Sequence, residues 1–166
     1  MDERVGGAME DGQSLTVLGR ILEPGETAPD FALDHFTGTS MDTVRLSDLQ
    51  GSVVVLNVVN SVDTPVCDVQ TRRVDSLFPD AKVLTVSMDL PFALLRWTGA
   101  AGVTHPAVSS HRSEEFGRNY GVLIKEWRML QRAVFVIDGD GRLAHVEYVA
   151  DQMQEPDYDA AVAAAR

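Results

Sequence analysis

The segment that most constrains the fold is a nearly continuous run of β-branched and aliphatic residues. It reads Val-Val-Val-Leu-Asn-Val-Val and spans residues 53–59. A run that is apolar on both faces is typical of a central parallel strand covered by helices on both sides. Thr64 and Pro65 follow closely, and these residue types are favoured as the N-cap and the first residue of a helix. The sequence therefore predicts a strand-to-helix unit of an α/β fold.

The rest of the chain alternates strand and helix signals. Strands are predicted at residues 31–33, 44–46, 82–87, 107–109, 133–137 and 143–149, a helical turn at 47–49, and helices at 64–78, 92–100, 113–120 and 157–165. This order predicts a mixed central sheet flanked by helices, closed by a hairpin at the turn 138–141. Alternating residues within 15–22 add a small N-terminal hairpin or strand. We expect one domain over residues 14–166.

The first thirteen residues are Gly-rich and acidic, and their apolar residues do not recur with the spacing of a helix or a strand. Residues 1–13 are therefore predicted to form a flexible tail. The start of the chain lacks the features of a signal peptide, and no apolar run approaches the roughly 20 residues needed to span a bilayer. We expect a cytoplasmic protein. The net charge of −11 would repel phosphate backbones and anionic lipids, so neither nucleic acid nor a membrane is an expected partner.

Cys67 is the only cysteine in the sequence, so no internal disulfide can form. It lies in the first turn of a predicted helix, just beyond a buried strand, where unpaired backbone N–H groups and the helix dipole favour an anion. An ordinary thiol with a pKa of about 8.5 is only about 3% ionised at neutral pH, so a reactive thiolate needs such stabilisation. The residues alone leave open the alternative of a buried, inert cysteine.

Polar neighbours bear on the ionisation of Cys67. Thr64 lies one helical turn earlier, so its hydroxyl is suited either to cap the helix or to bond the sulfur or a substrate oxygen. Asp63 and Asp68 are like charges that oppose a thiolate, so a fixed cation is expected to offset them. Spacing does not choose among three candidate cations: Arg72, Arg73 and Arg132.

Residues 57–67 closely resemble the active-site segment of the thiol peroxidase family of peroxiredoxins. The segment reads Asn-Val-Val-Asn-Ser-Val-Asp-Thr-Pro-Val-Cys. Residues 87–93, Ser-Met-Asp-Leu-Pro-Phe-Ala, resemble the next signature of that family, and further matches lie at 28–31, 120–122, 132–138 and 155–158. The matches cover the chain from about residue 15 to its end. The resemblance implies a thioredoxin-like fold and a homodimer.

The resemblance also assigns roles to individual residues. It implies that Cys67 is the peroxidatic cysteine, Thr64 the hydroxyl that binds the peroxide, and Arg132 the arginine that stabilises the thiolate and the transition state. The accompanying substrate loop comprises Asn60, Ser61, Asp63, Pro65 and Val66. The implied activity is reduction of hydrogen peroxide or alkyl hydroperoxides through a sulfenic acid on Cys67.

Two positions depart from the family pattern. Asn60 stands where the family has a proline that shields the cysteine, and Trp97-Thr98 occupies the place where a resolving cysteine is expected. An external thiol, either thioredoxin or a low-molecular-weight thiol, must then reduce the sulfenic acid. These departures leave open a second hypothesis, in which the protein is a catalytically weakened member of the fold that senses oxidants or binds a partner.

Other chemistries find little support in the sequence. A thioredoxin-type disulfide reductase needs a second cysteine three residues from the first, but Thr64 and Gln70 occupy those positions. The histidines are scattered and lack the spacing of metal ligands: His35, His105, His111 and His145. We expect neither a metal nor a cofactor.

Overall fold

The structure is a computed structural model and describes residues 2–166. This part of the chain contains eleven strands and four helices. The strands are β1 (Glu3–Glu10), β2 (Gln13–Leu18), β3 (Ala32–Phe36), β4 (Met41–Arg45), β5 (Val54–Val58), β6 (Lys82–Ser87), β7 (Ala107–Ser109), β8 (Leu123–Ile124), β9 (Met129–Leu130), β10 (Ala133–Ile137) and β11 (Leu143–Tyr148). The helices are α1 (Pro65–Leu77), α2 (Pro91–Ala101), α3 (Glu115–Asn119) and α4 (Tyr158–Ala164), and a short 3-10 helix spans Leu46–Leu49.

A seven-stranded mixed sheet forms the centre of the molecule. Its strand order is β11-β10-β5-β6-β7-β3-β4. The strands β5, β6 and β7 run parallel, whereas β10 and β3 join this group in antiparallel orientation. Every position of β5 is buried, as expected for a strand covered on both faces, and α1 makes the crossover from β5 to β6. The predicted α/β fold with a mixed, helix-flanked sheet is confirmed.

Apolar side chains pack on both faces of this sheet. On one face, Val55 and Val136 pack with Val74 of α1 and Ala161 of α4. On the other, a larger cluster contains Leu56 of β5 together with an aromatic group. That aromatic group comprises Phe31, Phe116, Tyr120 and Phe135. The double coverage explains why β5 reads as an almost uninterrupted apolar run.

The N-terminal residues form a strand rather than a flexible tail, so that prediction for residues 1–13 is wrong over residues 3–13; Met1 lies outside the described residues. Strand β1 pairs with β2, and both belong to a second sheet of order β1-β2-β8-β9. The Arg4 guanidinium donates to the carbonyl oxygens of Gly19 and Gly121, the latter at 2.8 Å. Backbone pairing and polar side-chain contacts, including a bond from Gln131 Nε2 to the Gly7 carbonyl oxygen at 3.0 Å, hold this strand, so the sequence shows no apolar pattern there.

Most predicted elements lie within a few residues of the observed ones. The bounds of β6, β7 and β10 match the predictions, and α1 begins at Pro65 with Thr64 at its N-cap. The helix predicted for residues 113–120 is shorter and spans Glu115–Asn119. The two-residue strands β8 and β9 have no recognisable sequence pattern, because they are defined by pairing with β2 and with each other. None of the four helices among residues 2–166 combines the length and apolar character needed to cross a bilayer.

Candidate active site

Cys67 lies in the first turn of α1, as predicted, and its side chain is completely buried. The apolar side of its surroundings is a small cluster with Val59, Val62, Leu94, Trp97 and Ala107. Its other side faces polar groups from β10 and from the segment after β5. The sulfur is therefore shielded from solvent but not enclosed by hydrocarbon alone.

The guanidinium of Arg132 contacts the sulfur. Its Nη1 lies 3.3 Å from Cys67 Sγ, although 65 positions separate the two residues in sequence. The two side chains meet because β10 lies directly beside β5, the strand that leads into α1. Arg132 is only 1% exposed, so its charge acts on the sulfur with little screening by water.

Arg132 is held in place by two glutamines. Nη1 also donates to Gln70 Oε1 at 2.7 Å, and Nη2 donates to the backbone oxygen of Gln152 at 2.7 Å. The Gln152 side chain accepts from the backbone N–H of Arg132 at 2.8 Å. One donor is left over, since Arg132 Nε is buried and has no hydrogen-bond partner among the atoms of residues 2–166. This buried donor, on the guanidinium whose Nη1 contacts the sulfur, is available to a bound oxygen atom.

Asn60, which stands where the family has proline, lies beside the sulfur. Its Nδ2 donates to the Leu130 carbonyl oxygen at 2.6 Å and to Gln152 Oε1 at 3.0 Å. Its Oδ1 lies 3.4 Å from Arg132 Nη2 and accepts a hydrogen bond from the Cys67 thiol at 3.7 Å. The amide thus gives the protonated sulfur an acceptor, which a proline side chain does not have.

Thr64 occupies the N-cap position of α1, but its hydroxyl does not cap the helix. Oγ1 instead donates to the Ser61 carbonyl oxygen at 3.0 Å. Because the single hydroxyl hydrogen is used there, the lone pairs of Oγ1 remain able to accept a hydrogen bond from another molecule.

The loop before α1 is fixed by one carboxylate from the loop after β6. Asp89 accepts from the Ser61 hydroxyl at 2.8 Å, from the Val62 backbone N–H at 3.0 Å and from the Ser87 hydroxyl at 2.7 Å. Ser61 therefore supports the loop and does not face the sulfur. The two segments that carry the family resemblance are joined by these bonds.

A small cavity of about 80 Å³ is walled by residues that contact or flank Cys67, although Cys67 itself is not part of its wall. Its walls include most of the predicted site residues: Asn60, Thr64, Pro65, Val66 and Arg132. Glu10 of β1, Gln152 and Met153 line it as well. The volume exceeds the roughly 10 to 15 Å³ that one water-sized molecule requires, so a small peroxide fits.

The carboxylates that were expected to oppose a thiolate have partners of their own. Asp68 accepts from Arg72 Nε at 3.0 Å and from the Trp97 indole N–H at 3.1 Å. Asp63 is exposed and lies 3.6 Å from Arg96. Arg72 is thereby directed away from the sulfur, and Arg73 stacks over the Tyr158 ring at 5.3 Å. Of the three candidate cations, the structure brings Arg132 to Cys67.

Three residues of this site were missed by the sequence reasoning. The residues are Gln70, Gln152 and Asp89, none of which the sequence motifs assign to the site. Gln70 and Gln152 are almost fully buried, yet in the sequence they resemble ordinary surface polar residues. The spacing of Gln70, one helical turn after Cys67, is the one signal that pointed to it.

The position of the expected resolving cysteine is filled by Trp97 and Thr98 of α2. Trp97 is 7% exposed and packs in the same cluster as Cys67, whereas the Thr98 hydroxyl donates to the Leu94 carbonyl oxygen at 2.9 Å within its own helix. Among residues 2–166, no group of three or more His, Cys, Asp or Glu side chains is arranged to hold a metal ion.

Comparison with known proteins identifies the family. The model of the AhpC/TSA family matches residues 24–146. Thiol peroxidase of Bacillus subtilis is 40% identical over 159 residues, which cover 93% of each chain. Thiol peroxidase of Streptococcus pneumoniae is 43% identical, with 93% of this chain and 96% of that protein covered.

Solved structures agree with this result. A peroxiredoxin-like protein from Aquifex aeolicus superposes with a TM-score of 0.82 at 31% identity, covering 94% of this chain and 93% of that one. Thiol peroxidase from Chromobacterium violaceum gives the same TM-score at 23% identity, over 93% and 92% of the two chains, and this second likeness shows the shared fold. The chain therefore belongs to the AhpC/TSA family and, within it, to the thiol peroxidase group of peroxiredoxins.

Proposed function

We propose that this protein is a thiol-dependent peroxidase that reduces hydrogen peroxide or alkyl hydroperoxides with Cys67. Membership of the thiol peroxidase group supports the reaction class. The observation that carries the residue assignment is the buried guanidinium of Arg132, which lies 3.3 Å from Cys67 Sγ and belongs to a residue that lines a cavity of peroxide size. A fixed positive charge at this distance in a water-poor site favours the thiolate over the thiol.

The bound peroxide is positioned by groups on either side of the sulfur. Thr64 Oγ1 accepts a hydrogen bond from the peroxide O–H, since its own hydrogen is bonded to Ser61. The unpaired Nε–H of Arg132 donates to a peroxide oxygen. Together these bonds align the oxygen–oxygen bond with the sulfur and stabilise the negative charge that develops on the departing oxygen.

The chemical step transfers one oxygen atom to sulfur. The Cys67 thiolate attacks the nearer peroxide oxygen, an S–O bond forms, and the O–O bond breaks with its electron pair going to the departing oxygen. That oxygen leaves as alkoxide or hydroxide and takes up a proton, giving alcohol or water. Sulfur is oxidised by two electrons and becomes the sulfenic acid Cys67–SOH.

An external thiol completes the cycle. The first thiol attacks the sulfenic sulfur, releases water and forms a mixed disulfide with Cys67, and a second thiol then frees Cys67 and leaves as a disulfide. Thioredoxin and a low-molecular-weight thiol are both candidate reductants. Thiol-based recycling suits a reducing compartment such as the cytoplasm.

Steady-state peroxide consumption with each reductant tests this function. Cys67→Ser is expected to abolish consumption, because a serine alkoxide is inaccessible at neutral pH. Arg132→Lys retains a positive charge but not the guanidinium fork, and it should retain more activity than Arg132→Met. Unchanged consumption in the serine variant would exclude the proposed reaction.

The second candidate function, an oxidant sensor with weak turnover, is favoured by Asn60. Its carbonyl oxygen accepts the thiol hydrogen bond at 3.7 Å and so stabilises the unreactive protonated form. The two functions differ in the rate of repeated turnover. A sensor would be oxidised once by peroxide and would show no sustained consumption with either reductant.

We also propose that the protein forms a homodimer. Two large apolar side chains at the start of α2, Leu90 and Phe92, are more than half exposed, and the Phe92 ring contacts the Phe36 ring at a centroid distance of 4.9 Å. Such a patch is typical of contact surfaces. Sedimentation of the wild type and of Phe92→Glu tests the proposal, with a shift towards monomer expected for the variant.

A further inference from the structure

A chain of buried hydrogen bonds leads from the active-site arginine across the sheet to the opposite end of α1. Arg132 Nη1 donates to Gln70 Oε1 at 2.7 Å, and Gln70 Nε2 donates to Asn57 Oδ1 at 2.5 Å. Asn57 Nδ2 donates to Thr85 Oγ1 at 2.9 Å. These side chains are at most 1% exposed. The only polar residue of the apolar strand β5 is thus part of a connected path.

The path continues to a histidine and a carboxylate. Thr85 Oγ1 lies 2.6 Å from His105 Nε2, and His105 Nδ1 lies 2.8 Å from Asp75 Oδ1. His105, which precedes β7, is 9% exposed. In total, five hydrogen bonds join Arg132 to Asp75.

The chemistry of the two ends fixes the direction of every bond between them. A guanidinium only donates hydrogen bonds and a carboxylate only accepts them, whereas amides, hydroxyls and neutral imidazoles do both. Starting from Arg132, each group therefore accepts from one neighbour and donates to the next. The neutral His105 ring must carry its hydrogen on Nδ1, so that Nε2 accepts from the Thr85 hydroxyl.

Reversing the direction would disturb the catalytic arginine. If Nε2 carried a hydrogen, the Thr85 hydroxyl would accept from His105 and lose the acceptor for its own hydrogen, which could be paired within the path only by donating towards Asn57. The Asn57 and Gln70 amides would then turn over, and the Gln70 NH₂ group would face the guanidinium of Arg132. Two donors would meet in a buried site, where an unmatched hydrogen-bonding group is costly.

We propose that Asn57, Thr85 and His105 are positioning residues of the thiol peroxidase site, which act on Cys67 only through Gln70 and Arg132. In its neutral form His105 accepts from Thr85, and this aims the Gln70 carbonyl oxygen at Arg132 and keeps Arg132 Nη1 at the sulfur. The role rests on the proposed thiolate chemistry of Cys67. It extends the functional unit from the first turns of α1 to a path through β5, β6 and His105, which lies two residues before β7.

The environment of His105 is consistent with a neutral ring. Burial lowers the pKa of His105, and the adjacent Asp75 carboxylate opposes this effect only in part. Asp75 on α1 is the charged group that contacts the ring, and Thr85 contacts it from β6. Asp75 also accepts hydrogen bonds from the Thr104 hydroxyl and from two backbone N–H groups, so the loop before β7 stays attached when the imidazole is replaced.

Three variants of the full chain test the proposal. His105→Phe keeps an aromatic ring but removes the acceptor for Thr85. His105→Gln offers both an acceptor and a donor, so it should preserve the thiolate fraction of Cys67. Thr71→Val is the matched control, because Thr71 accepts from the same Asn57 Nδ2 at 3.2 Å without belonging to the path. Circular dichroism confirms that each variant is folded.

The readout is the thiolate of Cys67, followed by its ultraviolet absorbance as a function of pH. His105→Phe should lower the thiolate fraction at neutral pH about fivefold, whereas His105→Gln and Thr71→Val should titrate like the wild type. A wild-type titration of folded His105→Phe, or an equal shift in Thr71→Val, would overturn the proposal. The measurement needs no peroxide, so loss of the proposed activity and loss of the positioning role are told apart.

A second measurement on the unmodified protein keeps the proposal testable if His105→Phe does not fold. Nitrogen NMR of the His105 ring at neutral pH should show a hydrogen on Nδ1 and none on Nε2. A ring with a hydrogen on Nε2 would contradict the direction of the path.

Discussion

The Thr64 hydroxyl can act only as a hydrogen-bond acceptor towards other molecules, because its hydrogen is bonded to the Ser61 carbonyl oxygen. From the sequence, Thr64 was equally suited to cap α1 or to contact the sulfur or a peroxide oxygen. In the structure it donates to the Ser61 carbonyl oxygen and lines the cavity. This arrangement leaves the lone pairs of Oγ1 as acceptors at the wall of the cavity.

Thr64→Val should slow the reaction of Cys67 with peroxide about a hundredfold, since it removes one hydrogen bond that orients the reacting oxygen. The thiolate fraction should change little, because Arg132 is untouched. Rapid mixing with hydrogen peroxide measures the second-order rate constant, and Thr64→Ser is the control that should restore most of it. A Val variant with the wild-type rate would remove Thr64 from the site.

Asn60 has opposing effects on reactivity and on stability. Asn60→Pro removes the acceptor of the thiol hydrogen bond, so the thiolate fraction at neutral pH should rise. The same change leaves the Leu130 carbonyl oxygen without its donor and should lower the free energy of unfolding by about 1 to 3 kcal/mol. Thiolate absorbance and urea unfolding measure the two effects, and an unchanged titration would show that the amide does not act on the sulfur.

The candidate site residues that could be predicted from the sequence are those that lie within recognisable sequence motifs. Cys67, Thr64 and Arg132 were selected through the family resemblance, and the structure brings Arg132 and Cys67 into contact. Gln70 and Gln152 could not be selected, because their importance arises from the direction in which a buried amide points. That direction depends on partners distant in sequence, such as Asn57 for Gln70.

At the scale of elements, the parallel core was predictable and the second sheet was not. Strands β5 and β10 are nearly uniform apolar runs because both of their faces are covered, and β6 is buried at every position after Lys82. Strand β1 is mostly exposed and contributes Ala8 as its one buried side chain. Its order comes from pairing with β2 and from the Arg4 bonds to glycine carbonyls, which no local pattern of hydrophobicity reports.

His105, which contacts α1 and β6 from the loop before β7, should make folding stability depend on pH. The lowered pKa of His105 means that the unfolded chain takes up a proton more readily than the folded one. The free energy of unfolding should therefore fall as pH decreases from about 7 to about 5, below the ordinary histidine pKa of about 6.5.

Urea unfolding across this range measures the effect, and His105→Gln should flatten it. Carboxylates such as Asp34, whose pKa is lowered by hydrogen bonds from Arg112, lose their contribution only at lower pH, as they become protonated. An unaltered slope in the glutamine variant would mean that other groups cause the change.

At the scale of the whole molecule, net charge should influence which peroxides react quickly. The chain carries a net charge of −11, and Glu10 lines the same cavity as Thr64 and Arg132. Anionic hydroperoxides should react more slowly than neutral ones of similar size, and their rate should rise with salt as the repulsion is screened. Glu10→Gln should weaken this salt dependence, whereas equal salt responses for both substrate types would contradict the prediction.

The tryptophan in α2 gives the molecule an optical reporter of its own chemistry. Because the Trp97 indole packs in one cluster with Cys67 and donates its N–H to Asp68, adding an oxygen to the sulfur alters the surroundings of a fluorophore. Oxidation of Cys67 should therefore change the intrinsic emission of Trp97, without any dye or label, and emission that stays constant after peroxide is added would contradict this expectation.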